Sequence, residues 1–229
     1  KMGWPRMKRL YNDDLIAAIT KANWPNHDEL CSEFPFDIIN LDVTCNLVAQ
    51  SEGPYGAFLE AINECLRLQG SHPGTWMMMT TYRSMIDSLN QNTVYNLCKI
   101  YDLNVANSSA VREACHAKYG VTEAQKIFDS QPHDALGEFV AKWVVDQAHR
   151  YGWRVKRHTK LFYERGQGKY QIRKAVFCFG KAPSSAKAIP STHSGSTESR
   201  DQDIIAVIAG GPAVDVSARV QEISTKKAD

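Results

Sequence analysis

The chain has 229 residues, of which 43% are hydrophobic and 23% charged, with a formal net charge of +2. That length supports one sizeable core with an appendage, and the composition is that of an ordinary globular protein. The near-neutral balance excludes a strongly basic nucleic-acid binder but leaves room for a local basic patch, and no apolar run approaches the roughly 18 residues that a membrane span needs.

The opening KMGWPRMKRL is charged but has no apolar core behind it, so it does not read as a signal peptide. The cysteines (Cys31, Cys45, Cys65, Cys98, Cys115 and Cys178) are scattered, without C-x-x-C or metal-ligand spacing. They read as reduced thiols of a cytoplasmic protein with no metal centre. Asn12 as N-cap, Asp13 and Asp14 in the first turn, and Leu15, Ile16 and Ile19 behind them predict a helix over about 13–22, stopped by Trp24-Pro25-Asn26. FDIINLDV follows as a strand over about 36–43. It shows no clean alternation, which predicts a strand covered on both faces, as in a parallel sheet.

After a turn at Ser51–Gly56, the spacing of Phe58, Leu59, Ile62, Cys65, Leu66 and Leu68 predicts an amphipathic helix ended by Gly70. TWMMMTTYR (75–83) is a second strand, and its methionine run reads as core filling. Strand, helix and strand span about 45 residues, the length of a right-handed βαβ crossover. Both strands pass from apolar to polar residues at their ends. Helices over about 86–101, 108–118 and 122–129 form an insertion or lid within 84–135. Leu136–Tyr151 is a further helix, with Phe139, Val140, Trp143, Val144 and Ala148 on its apolar side and Gly152 as its cap. Two β-type runs then flank Gly166-Gln167-Gly168 as a hairpin. Residues 182–200 read as a flexible linker, and 201–229 as a short helical tail.

Ligands of open α/β sheets bind beyond the carboxyl ends of parallel strands. That rule places Asp42, Thr44, Asn46, Thr80, Thr81 and Arg83 in one crevice. Asp42 suits a general base or an anchor for a substrate amine, Asn46 a reader of a base edge or amide, and Arg83 a fork for phosphate or carboxylate. The competing reading is that these groups cap neighbouring helices and pair among themselves. Cys45, at the same strand end, reads as a buried thiol. The densest basic run, Arg154–Lys160, offers Lys156, His158 and Lys160 to a single-stranded nucleic acid, with Phe162 and Tyr163 following. A solvated edge strand guarded by lysines explains it equally, because only alternate residues share a face. His133 and His149 have no partner at ligand spacing and read as satisfied or exposed.

FDIINLDV, the helix behind it, TWMMMTTY, the helical insertion, the long helix and the 153–180 hairpin together resemble the C-terminal half of a class I S-adenosylmethionine-dependent methyltransferase. In that resemblance they hold the places of the fourth and fifth strands and of the closing sixth and seventh, over about residues 34–181. It implies an α/β, Rossmann-like, mainly parallel sheet ending in an antiparallel hairpin, within a domain spanning 1–181. It also implies methyl transfer from S-adenosylmethionine, with nucleic acid as substrate. The sequence departs from the family where the cofactor binds. No G-x-G-x-G follows a strand, Gly166-x-Gly168 sits in a hairpin, and the Asp/Asn-Pro-Pro-aromatic motif is absent after FDIINLDV. The cofactor-binding half is therefore expected to be missing, degenerate or supplied outside this chain. A non-catalytic Rossmann-like subunit that binds protein partners through the helical insertion or the C-terminal tail is the alternative.

Overall fold

The computed structural model describes residues 15–46, 56–84, 89–165, 170–181, 197–210 and 214–215, with the side chains of 43–46, 163–165, 170, 197 and 214–215 outside that description. The predicted helix at 13–22 is α1, Leu15–Thr20, with Asp13 and Asp14 lying outside the described residues. A short helix not predicted, α2 (His27–Ser32), follows the Trp-Pro-Asn stop and has Asp28 and Glu29 in its first turn, where the helix dipole favours them. Strand β1 is Ile38–Asn46, α3 is Ala57–Leu68 and β2 is Trp76–Ser84. At the far end of α3, buried Gln69 grips the backbone entering β1, accepting from Phe36 N at 2.7 Å and donating to Phe36 O.

The insertion forms α4 (Gln91–Asn107), α5 (Ser109–Tyr119) and α6 (Ala124–Ser130). Asn90 and Ser108 cap α4 and α5 by accepting hydrogen bonds from first-turn amides. Helix α7 spans Pro132–Arg150, starting earlier than Leu136 because proline is well suited to the first helical position. Gly152, at φ 76°, turns the chain into β3, Trp153–Arg165, which pairs with β4, Tyr170–Lys181. The predicted turn glycines 166 and 168 lie outside the described residues. Helix α8 (Thr197–Ala209) begins inside the stretch expected to be linker, and β5 is Val214–Asp215.

The sheet order is β1-β2-β4-β3-β5. β1 and β2 are parallel, as the βαβ unit requires, whereas β4 runs antiparallel to both β2 and β3. The fold is thus α/β with a helical insertion. The expectation of a mainly parallel sheet is corrected: it is mixed, and its longest pairings are antiparallel. The hairpin does not append to an edge; its second arm lies beside β2 and pushes its first arm outward.

Helices α3 and α7 pack on each other, α7 and α8 lie on β3, α4 and α6 pack on α7, and α5 packs on α4 and α8. The core runs through this interface. Trp76 stacks on Phe179 at 4.3 Å and meets Trp153 edge-on, while Tyr101 packs on Phe139. Because the insertion covers its outer side, α7 is buried nearly all round from Ala135 to Val145. The opposite face of the sheet is only partly covered. Ile39 and Leu41 are buried while Ile38, Asn40 and Asp42 are exposed, so β1 is not covered on both faces as its lack of clean alternation suggested.

Candidate functional site at the strand ends and outer sheet face

Successive strand residues point to opposite faces, so the pairing register sorts the candidate residues into two groups. On the outer face one row across the sheet reads Asp42, Thr81, Lys174, Leu161. The row before it reads Asn40, Met79, Val176, Thr159, and the row before that Ile38, Met77, Cys178, Arg157. Arg83 and Ile172 continue the face toward the strand ends. Arg157, Lys174 and Arg83 therefore share one surface, joined by exposed Lys156, whose stem lies against Gly180. Asp42 is the one carboxylate in those described rows.

The predicted crevice is split by this register. Asp42, Thr81 and Arg83 come together on the outer face. Thr80 points the other way, is 2% exposed, and donates its hydroxyl to Ala175 O at 3.4 Å. Its role is structural, and the correction follows from strand period two. Thr44 and Asn46 lie in β1, where the register slips between Asp42 and Asn46 before Asn46 pairs with Arg83; their side chains, like that of Cys45, are outside the described residues.

The basic run of β3 is divided in the same way. Lys156 is the extra residue of an irregularity between Val155 and Arg157 and stays on the solvent side. His158 faces the helices, stacked on Phe177 at 4.6 Å. Burial, with help from neighbouring Lys160, pushes its imidazole down to about 3, so it is neutral at physiological pH and is not part of a cationic grip. Lys160 is half-buried on the helix side, where burial and the nearby Lys118 lower its ammonium. Lys156, His158 and Lys160 thus do not form one surface. Arg157 and Lys174, which were not singled out, take their place.

Sequence reasoning also missed a polar group where β2 and β4 meet the start of α7. Ser84 Oγ and His133 Nδ1 share a hydrogen bond at 2.8 Å, with Ser84 fully buried. Beside it, Arg173 donates to Gln171 Oε1 and, at 2.9 Å, to Asp134 Oδ1. Arg173 fits under α7 because residue 137 is glycine: a Cβ there would stand 2.9 Å from the guanidinium. Deeper, Glu138 Oε2 accepts from Lys118 Nζ and from Tyr119 Oη at 2.7 Å. These partners lie far apart in sequence, and only the early proline and Asp134 of α7 mark the place. Among the described residues no group of three or more His, Cys, Asp or Glu side chains is arranged to hold a metal. No glycine-rich turn follows a strand there either.

Fold and site together define an α/β domain with a helix-backed mixed sheet, a cationic outer face and a buried polar strand end. The chain belongs to the PP_RS20740-like family, whose model matches residues 8–223. No curated protein and no solved structure matches it. No described helix is long and apolar enough to cross a membrane.

Proposed function

We propose that this chain is the substrate-side part of a methyltransferase-like, Rossmann-like α/β assembly that engages nucleic acid in the cytoplasm. The strand arrangement carries the reading: two parallel strands joined by a helix, followed by a hairpin that closes the sheet, with polar residues gathered where β1 and β2 end. The described residues do not fit S-adenosylmethionine, because they hold no glycine-rich cradle for it. The cofactor-binding strands therefore belong to residues or a chain outside them, and Asp42, beside Thr81 at the strand end, is the residue placed to face the reacting group. Nucleic acid is the substrate class because Arg157, Lys174, Arg83 and Lys156 share the outer face. The rows between them present Met77, Met79 and Val176 rather than aromatic rings, so the grip is on phosphates more than on stacked bases.

Fluorescence anisotropy with a labelled single-stranded oligonucleotide tests this reading. Binding should weaken in Lys174→Ala and Arg157→Ala and hold in Lys160→Ala; no binding at low salt sinks it. Calorimetric titration of S-adenosylmethionine decides the cofactor arm. One-to-one heat that is lost in Asp42→Ala would place the cofactor on this chain, whereas no heat at millimolar cofactor leaves it to a partner. A second reading, a non-catalytic subunit that binds proteins, is favoured by one observation: the insertion displays exposed Tyr95 and Leu103.

A further inference from the structure

We propose that one face of α4 pairs with the same face of a second copy of this chain, the two helices running antiparallel. This inference stands apart from the methyltransferase-like reading. Among the described residues only Leu15, Ile38, Tyr95 and Leu103 are large apolar side chains left exposed, and the last two, at 64% and 51%, sit on one helix. They are eight positions apart, which puts them on the same side of α4. Single exposed apolar residues are ordinary on a protein surface. Here both line one concavity of about 380 Å³, together with Cys98, Lys99, Asp102 and Ala106 of α4 and Gln125 of α6.

The residues of this face identify the occupant. A two-fold axis crossing α4 midway between Lys99 and Asp102 sets each Lys99 opposite Asp102 of the second copy. It also sets Tyr95 opposite Ala106, and Cys98 opposite Leu103. Opposite charges meet, and the largest side chain of the face meets the smallest. A parallel pairing would instead set Lys99 against Lys99 and Asp102 against Asp102. The face is complementary to itself in one orientation, as a closed two-fold interface requires. Asp102 is already oriented, since its Oδ1 accepts from Ala124 N at 2.9 Å. Its other oxygen is left to the lysine. One helix pair is a small contact, so the dimer is weak and depends on concentration.

Sedimentation velocity on the full chain, from micromolar to millimolar concentration, provides the test. The wild type should shift toward dimer as concentration rises, and Leu103→Glu and Lys99→Glu should each weaken association by about tenfold or more. Mixing Lys99→Glu with Asp102→Lys gives the sharper arm. Each variant repels itself, while the mixture matches every charge and should form a one-to-one dimer. A wild type that stays monomeric throughout overturns the proposal and leaves the groove to a different chain. A dimer indifferent to Leu103→Glu overturns it as well, because the contact then lies elsewhere. Asp102 also supports α6, so circular dichroism checks that variant. If it does not fold, Leu103→Glu, at an exposed position, still decides the outcome.

Discussion

Lys142 shows what enclosing a charge does to a single side chain. It is 1% exposed, its Nζ has no hydrogen-bond partner, and the ammonium sits 3.3 Å from the centre of the Tyr101 ring. Burial pushes it down to about 8, against the pull of Cys115 and Glu138. Between that value and the ordinary 10.5 the unfolded chain binds more protons than the folded one, so wild-type stability rises with pH across that window. Below it, the full penalty of holding a buried charge is present. Lys142→Met should therefore stabilise the protein by about 1–3 kcal/mol near neutral pH, with the gain shrinking as pH climbs through the window. Urea denaturation at both ends of the window checks this, and a loss of stability in Lys142→Met at neutral pH would contradict it. The sequence showed an amphipathic helix here. Nothing local announced that α4, α5 and α6 would cover its polar side as well.

At the scale of elements, one carboxylate of α8 ties that helix to α7 and β3. Asp203 accepts from His149 Nε2 at 2.9 Å, from the Arg154 guanidinium and from Val155 N, while Ile204, Val207 and Ile208 are buried. Burial opposes ionisation of Asp203, but the bonds from His149 and Arg154 outweigh it and hold the carboxyl below its ordinary value. Its contribution is thus complete above the unfolded aspartate range and is lost as pH falls through the lower folded value. Asp203→Ala should cost about 3 kcal/mol at neutral pH, the usual scale for leaving a buried charge unmatched. The gap from wild type should close below about pH 4. Thermal melts across that range measure it, and a gap independent of pH would refute the electrostatic account. Helices and strands with local periodicity, α3 and β2 above all, were legible in the sequence. The start of α8 was not, because Thr197, Glu198, Ser199 and Arg200 continue the polar composition of the stretch before them, and the partners of Asp203 lie about 50 residues away.

At the scale of the whole molecule, a net charge of +2 conceals an asymmetric surface: Arg83, Lys156, Arg157 and Lys174 share one face with a single described carboxylate in its rows. If these four contact single-stranded phosphates, the logarithm of affinity should fall with the logarithm of salt at a slope of up to about −2.8, and Lys174→Ala should reduce that slope by about 0.7. Anisotropy titrations over a range of salt would expose a flat response, which excludes phosphate contact. The βαβ unit was readable because its elements are consecutive; that Asp42 stands beside Thr81 came only with the strand register. The split of Thr80 from Thr81 follows from strand period two, whereas the irregularity between Val155 and Arg157, which sets Lys156 apart from His158 and Lys160, is not encoded in composition. The insertion of β4 beside β2 was equally hidden, and it has a consequence for how the chain is made. Thr80 meets Ala175, 95 residues later. As the protein leaves the ribosome, β2 exists with one naked edge until the helices, β3 and then β4 have been synthesised. Closing that long loop sets a slow, late step in assembly. During that interval the Trp-Met-Met-Met strand is the segment most exposed to a neighbouring nascent chain, and the point at which a chaperone would be needed.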